Sequence, residues 1–539
     1  MNQAREWIEY HVAGPPGTGK TTYLSRQISN AMVEHGRDEI IVASHTRAAA
    51  AEIARRDISL DSSQVGTLHA LCYRAIGREH EVAEKYIKDW NTENQGYALE
   101  MDASNQDEPY AEIGRNITRG DQLLSEMNIL RARMVDKRLW PTTVRSFSAR
   151  WEEWKKINNL IDFTDMLETV YLTFDRWPGN PSIGFFDECQ DLDTLQLALV
   201  RKMAKKMSHI VMAFDVDQTL YRWKGADPEG IINTSPDGFR SLPKSYRVPR
   251  AVHGIAKRWI EQAHKRLAVD YEPRDAEGEV TKINSQYSFP SRVIDAVEKY
   301  IADKKSVMLL TSCSYMLSET IKLLRKRGIP FHNPNRTRRG DWNPLRVNRG
   351  TSMAGRVLAY LKPDPSVWGD LAHMWTAKDL KIWLDPLRGR EILVRGAKSA
   401  MEGLDDKAEI SVVNLLEWFI NESDVERVIS NDIAWLREKV KSDKERLLDF
   451  PLTIVEKRGG ITLREPPLVK VGTIHSVKGD EADVVILFPD VSLEGYKEWR
   501  SSHTRDNVIR QFYVGMTRAR ETLVLCKPSG VCHVGLWSF

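Results

Sequence analysis

The sequence predicts an α/β protein in which two parallel-sheet domains share one nucleotide site, each domain being interrupted by a mostly helical insertion. Three observations predict it. A glycine-rich loop, Gly14-Pro-Pro-Gly-Thr-Gly-Lys-Thr21, lies between an alternating stretch and a helix-like run. Short apolar runs at 39–43, 183–187, 208–214, 305–311, 484–488 and 522–526 read as buried parallel strands. They separate into an early set near the loop and a late set near Arg518, with one such loop for both.

The totals agree with several domains. At 539 residues the chain is too long for one core, and about three to four domains are expected. The net charge of +3 says little about partners, so any electrostatic signal is local. Cys72, Cys189, Cys313, Cys526 and Cys532 are scattered with no CxxC pair. That argues against a disulfide framework, a zinc site or an iron–sulfur cluster, and suits a reducing cytosol. No apolar run approaches the roughly 18 residues of a membrane span, and "MNQAREWIEYHVAG" has no signal-peptide pattern. The expectation is a cytoplasmic protein without a membrane partner.

The first element is the strand "WIEYHVA", followed by the loop and then a helix. Gly14, Gly17 and Gly19 let backbone N–H groups close around phosphates, with Lys20, Thr21 and Thr22 at the helix N-terminus. Lys20 is expected to neutralise β- and γ-phosphates and the Thr21 hydroxyl to hold Mg²⁺. Further on, "SIGFFDECQDLDTLQ" is an apolar strand that ends in two acids. Behind a phosphate loop they read as the Mg²⁺ ligand, Asp187, and the water-orienting base, Glu188. Two adjacent buried acids are costly without a cation, which weighs against a purely structural role. An ATPase or GTPase follows; these two motifs do not choose among kinases, switches, transporters and motors.

The choice comes from "IIVASHTRAAAAEIARR" (40–56), "VGTLHALCYR" (65–74), "VMAFDVDQTLYRWKGA" (211–226), "LPKSYRVPRAV" (242–252), "VGTIHSVKGDEADVVIL" (471–487) and "QFYVGMTRAR" (511–520). In order and content these motifs resemble the UvrD/PcrA/Rep-like branch of superfamily 1 DNA helicases, in patches from Gly14 to about Cys526. The resemblance implies two RecA-like P-loop domains with ATP and Mg²⁺ between them. It implies that Gln218 senses the γ-phosphate, that Tyr246 stacks on adenine, that Arg247 reaches the γ-phosphate and that Glu481 bonds the ribose. It makes Arg518 the arginine finger of the second domain. For DNA it points to Thr46, His69, Tyr221, Trp223, Lys224, Thr473 and His475. Aromatics such as Tyr221 and Trp223 stack on bases without reading sequence, at roughly 1–3 kcal/mol per base; the alternative for either ring is core packing.

Several positions depart from the family pattern. The only candidate for the adenine-reading glutamine is Gln3, at short spacing. Leu68 stands where an aromatic is usual, and Lys224 keeps the charge of the usual arginine but not its planar fork. The usual acidic pair before Arg510 is missing. Only 19 residues follow Arg520, which leaves little room for a strand-separating hairpin. Translocation is untouched by these differences; efficient unwinding is not.

The expected layout is a first RecA-like domain at 1–80 and 161–235, a helical insertion at 81–160, a second RecA-like domain at 236–362 and 464–539, and a second helical insertion at 363–463. Leu124, Met127, Leu130 and Met134 recur at helical spacing and read as core. The second insertion has charged faces that suit a solvated, mobile domain. Lys322, Arg325, Lys326, Arg327, Arg336, Arg338, Arg339, Arg346 and Arg349 form a basic stretch, read equally as a phosphate-tracking surface or a solvated helix end and loop. No nuclease-like carboxylate cluster stands out. The expected function is an ATP-dependent translocase and helicase on single-stranded DNA and single-strand/duplex junctions, with 3′→5′ polarity taken from the resemblance alone. The rivals are a protein-stripping translocase that does not unwind, and an ATP-gated loader that acts through partners.

Overall fold

The structure, a computed structural model, describes residues 7–44, 60–61, 63–100, 118–336, 340–345 and 352–539. Thr46 lies outside the described residues, as do Gln3, Arg338, Arg339, Arg346 and Arg349. The chain divides into two compact units. One comprises Met1–Lys282, Leu310–Tyr315 and Thr473–Phe539, the other Ile283–Leu309 and Met316–Gly472.

The first unit is built on a six-stranded sheet whose strands run in the order Val65–Gly66, Ile40–Ser44, Ile183–Asp187, His209–Phe214, Ile8–Ala13, Gly238–Ser241. Every neighbouring pair is parallel. The central runs Ile40–Ser44 and Ile183–Asp187 are buried at every residue, as strands covered on both faces must be. One face packs against Leu24, Ile28 and Ala31 of the helix Lys20–His35. The other packs against the helices Phe163–Thr173 and Thr194–Ala204 through Met166, Val170, Leu199 and Met203. The register sets Ala13 beside Phe214 and Ser44 beside Asp187, so the carboxyl ends of the strands share one edge. That edge is where parallel sheets bind ligands.

The same unit holds the parallel pair Ala482–Leu487 and Ala519–Cys526, joined by the almost wholly buried helix Arg505–Met516. It also holds a helical lobe with helices Ile87–Glu93, Arg119–Ala132 and Thr142–Ile157. Trp90, Trp151 and Trp154 form the centre of that lobe, with ring centroids 5.0–5.4 Å apart. The expected apolar stripe is only partly right. Met127 is buried and Leu124 and Leu130 pack at the margin, but Leu123 takes the inner place. Met134 is exposed, because the helix ends at Ala132 and the chain turns through a left-handed residue at Met134.

The second unit is mostly helical. Tyr360, Trp375, Trp383 and Trp435 pack together in its core. Phe331–His332 pairs in parallel with Val469–Lys470. The long helix Ser442–Arg458 does not stand apart in solvent. Phe450 packs against Phe331 (5.6 Å), and Arg458 and Arg327 share Glu298. Within the basic stretch Arg327 therefore has two carboxylate partners, Asp295 and Glu298, and Lys322 pairs with Glu319. Arg325 lies over the Phe450 ring. These cations are engaged inside their own unit, which favours the structural reading for them. All five cysteines are free thiols, and all but Cys532 are buried.

Candidate nucleotide site and nucleic-acid face

The phosphate loop is shaped by its glycines. Gly17 has φ 75°, and a Cβ there would lie 2.5 Å from Arg247 Cβ and 2.8 Å from Ser245 Oγ. Only glycine lets the 245–247 segment approach so closely. That segment is stitched to the loop. Tyr246 N donates to Gly17 O (2.8 Å), and Ser245 Oγ and Tyr271 Oη both donate to Pro16 O. Gly14 is as crowded, since a Cβ would meet Thr18 Oγ1 at 2.5 Å. Gly19 caps the helix in the left-handed conformation, and Lys20, Thr21 and Thr22 open that helix. Lys20 is buried, with Nζ donating to Gly14 O at 2.6 Å.

The acids arrive from the next strand but one. Thr21 Oγ1 donates to Asp187 Oδ2 at 2.9 Å. Burial first, and the neighbouring Glu188 second, push the Asp187 carboxyl above its ordinary value. Glu188 moves the other way: burial opposes its charge, but Lys478 and then Lys20 outweigh it. Glu188 also has φ 57°, a left-handed backbone that a non-glycine residue holds only under constraint from its surroundings. The donor set fits the group the motif implies. Thr21 and Asp187 present hard oxygens side by side, as Mg²⁺ requires, and the glycine cradle with Lys20 fits a triphosphate.

The late motifs converge on the same place. Arg518 is buried, and its Nη2 donates to Gln218 Oε1 at 2.6 Å while Nε donates to Val514 O at 3.0 Å. Burial first, then the Arg247 charge, lower its pKa to about 10. Arg247 Nε donates to Glu481 Oε2 at 2.5 Å, so these two predicted nucleotide contacts are ion-paired with each other. Tyr246 is 75% exposed and offers a free ring face. Gln218, Arg247, Glu481 and Arg518 are thus brought together with Lys20 and Glu188, although up to 504 positions separate them from Gly14.

Three participants lay in the quoted motifs without having been singled out. Lys478 reaches Asp191, Gln218 O (3.2 Å) and Glu188 Oε2 (3.6 Å). Gln190 Nε2 donates to Glu188 Oε2 at 2.5 Å, and Gln190 Oε1 accepts from Asp215 N at 3.0 Å. Asp215 Oδ2 accepts from Gln218 Nε2 at 2.7 Å. The available signal was position: Gln190 and Asp215 closely follow the apolar strands Ile183–Asp187 and His209–Phe214, and Lys478 shares a quoted motif with Glu481.

The predicted nucleic-acid residues are placed less uniformly. Tyr221 was expected to present a stacking face, but it is buried at 4% exposure. Its ring lies 6.2 Å from His475, and the Lys478 and Lys224 ammonium groups lie 5.4 and 5.6 Å from its centroid. Trp223 is half-buried under Lys224, which sits 5.3 Å above its ring. His475 and Thr473 are also buried, and His475 Nε2 lies 3.3 Å from Leu220 O. Tyr221, Lys224 and His475 form one cluster, therefore, yet only Trp223 and Lys224 among these residues keep open surface. His69 is half-buried and meets Phe163 edge-on. Leu68 is core, which explains why an aliphatic residue serves there.

A phosphate loop, a paired Thr–Asp, an acid at a strand end and a remote arginine are the features of a P-loop nucleotide-binding protein. Two family models place it further. Residues 8–238 match the UvrD/REP helicase N-terminal domain, and residues 468–526 match the UvrD-like helicase C-terminal domain. Together they take in more than half of the chain, which belongs to the UvrD/REP-type DNA helicase family. Among curated proteins the chain is 20% identical to a probable DNA helicase II homolog of Mycoplasma pneumoniae, over 94% of this chain and 80% of that protein. It is 23% identical to ATP-dependent DNA helicase Rep of Escherichia coli, over 69% of this chain and 65% of Rep. It is 24% identical to ATP-dependent DNA helicase PcrA of Bacillus subtilis, over 41% of this chain and 32% of PcrA. The matched stretch thus spans under two thirds of both Rep and PcrA. Among the described residues no helix is long and apolar enough to cross a membrane.

Proposed function

We propose that the protein is an ATP- and Mg²⁺-dependent motor that moves 3′→5′ along single-stranded DNA in the cytoplasm and acts at single-strand/duplex junctions. The observation that carries this reading is the hydrogen-bonded chain Glu188–Gln190–Asp215–Gln218–Arg518, which joins the hydrolytic base to the finger through the segment that continues into Tyr221 and Trp223. Residues 1–80 with 161–235, and 236–362 with 464–539, are the two halves whose closure ATP would drive.

In this scheme Glu188 orients a water for in-line attack on the γ-phosphorus and accepts its proton as the bond to the β-bridging oxygen breaks. Lys20, Arg247 and Arg518 offset the charge carried by the transferred oxygens. Thr21 and Asp187 would hold the Mg²⁺, which supplies further charge neutralisation at the phosphates. Release of phosphate would free Gln218 and Arg518 to re-pair, and Tyr221 and Trp223 would shift with them. The burial of Tyr221 in its lysine–histidine cluster makes that shift the step that exposes a base-stacking face.

The test is steady-state ATP hydrolysis with and without single-stranded DNA, beside Lys20→Ala as the blank. Strong stimulation that vanishes in the variant supports the motor. Equal rates with and without DNA overturn it. A forked duplex then separates unwinding from protein stripping, and Glu188→Gln separates both from an ATP-gated loader, which would keep its main function in the ATP-bound state.

A further inference from the structure

We infer that Gln190 is a positioning residue for the hydrolytic step: its amide sets the carboxylate of Glu188 and ties it to Asp215, Gln218 and Arg518. The inference rests on the hydrolase reading above and assigns a role within that site.

Gln190 lies in the short 3₁₀ turn Cys189–Asp191 directly after Glu188, and it is completely buried. Both ends of its amide are committed. The Asp215 main-chain N–H can only donate, so it fixes the carbonyl end, Oε1, at 3.0 Å. The NH₂ end must then face Glu188, where Nε2 donates to Oε2 at 2.5 Å. This pairing settles the orientation of the amide by chemistry, since the reverse would set two donors together and two acceptors together. The left-handed backbone of Glu188 restricts how its side chain leaves the strand end, so the amide decides where the free carboxylate oxygen points.

The consequence runs beyond Glu188. The Asp215 amide held by Gln190 belongs to the residue whose carboxylate holds Gln218 Nε2 at 2.7 Å. Gln218 in turn accepts from Arg518 at 2.6 Å. A shift of the base is therefore passed to the finger through four fixed contacts, all in one compact unit. Burial alone requires that both amide ends find partners, but here one partner is the Glu188 carboxylate and the other the main chain of the residue that holds Gln218. Lys478 gives Glu188 charge but not direction, since it stands 3.6 Å away and also serves Asp191.

Two variants of the full chain separate the contacts. Gln190→Met keeps the volume and loses both hydrogen bonds. Gln190→Glu keeps an acceptor for Asp215 N but puts a second carboxylate against Glu188. The measurements are kcat and KM for ATP with and without an oligo-dT strand, the Kd of a fluorescent ATP analogue, and thermal unfolding. The expected result is a fall in kcat of roughly tenfold or more in both variants. KM and analogue Kd should stay within about twofold of wild type, the mark of an interaction made in the transition state. The Glu variant should be the slower. Wild-type kcat in Gln190→Met, or a loss that appears in KM and nucleotide affinity, overturns the assignment. So does a loss that follows the unfolding temperature. If Gln190→Met does not fold, the Glu variant decides alone: analogue binding with lost turnover upholds the role, and undiminished turnover ends it. Wild-type rates unchanged by oligo-dT would remove the DNA-motor reading, and the kcat of the DNA-free enzyme would still decide the role of Gln190.

Discussion

Two places in the first unit bury several charges together, and they are resolved differently. At the return from the helical lobe, Asp162 accepts from Arg131 Nη1 (2.9 and 3.0 Å), Lys155 Nζ (2.6 Å) and Trp151 Nε1 (2.9 Å). Arg131 also reaches Asp165 and Glu168. Burial works against the Asp162 charge, but Arg131 and then Lys155 outweigh it and hold its pKa well below the usual carboxylate range. At the nucleotide site that balance is reached for Glu188 and Glu481 but not for their neighbours. Burial pushes Asp187, Asp191 and Asp215 upward, while burial and Arg247 push Arg518 downward. Buried charge alone therefore does not mark a functional site. Matched partners make a clamp; like charges held against one another, beside a strained backbone at Glu188, make a place that waits for a charged ligand.

The largest effect should separate the two clusters by activity. Arg518→Ala should lower kcat by about 10³-fold or more, as loss of an arginine finger does. Its unfolding temperature should hold or rise, because the lost guanidinium is desolvated and its partners are mostly neutral oxygens. A marked drop in stability would mean that Arg518 is a clamp like Arg131. The reverse experiment is Arg131→Met. It leaves Asp162 and Asp165 short of a cation in the interior and should cost about 3–5 kcal/mol by denaturant titration, while the folded fraction keeps wild-type kcat. Loss of turnover at full folding would merge the two clusters into one.

Acid sharpens the contrast further. Asp162 has a depressed folded pKa, so its contribution is present above the unfolded value of about 3.9 and is lost as pH falls below it. Wild type and Arg131→Met should therefore approach each other in stability on acidification, since the protonated Asp162 needs no cation. A stability gap that stays constant from neutral pH down through about 3 would mean that Arg131 acts by packing alone.

Much of this was legible in the sequence because parallel sheets and phosphate loops write themselves locally. The six apolar runs are all strands, within a few residues. Lys20, Thr21, Asp187 and Glu188 meet because each closes a strand or opens a helix at one sheet edge, a position that topology fixes. Arg518 and Gln218 could be matched only through the order of motifs, since nothing local says that an arginine near the end of the chain faces Gln218. Tyr221 shows what local reading misses. Exposure depends on neighbours such as His475 and Lys478, which come from more than 250 residues away. The placement of helix Ser442–Arg458 was hidden for the same reason: its polar surface reads as solvated, but Arg458 and Phe450 use partners at Glu298 and Phe331.

The smallest expected effect concerns Glu84, at the margin of the Asp162 clamp. Its Oε1 accepts from Phe163 N at 3.3 Å, and its Oε2 is shielded from solvent without a partner. Burial first, then the Asp162 charge, push its pKa up to about 8. The sign follows from proton counting. Between the unfolded value of about 4.3 and about 8 the folded chain binds a proton that the unfolded chain has released, so stability falls as pH rises through that interval. Above about 8 the cost is constant, because Glu84 is then ionised in both states. Glu84→Gln stays neutral and removes this slope. Relative to wild type, its unfolding temperature should be nearly unchanged at about pH 5 and a few degrees higher at about pH 9. A pH-independent difference would show that the Gln side chain acts through packing. A variant less stable than wild type at alkaline pH would mean that the Glu84 carboxylate is a working member of the clamp, with Lys155 serving it as well as Asp162.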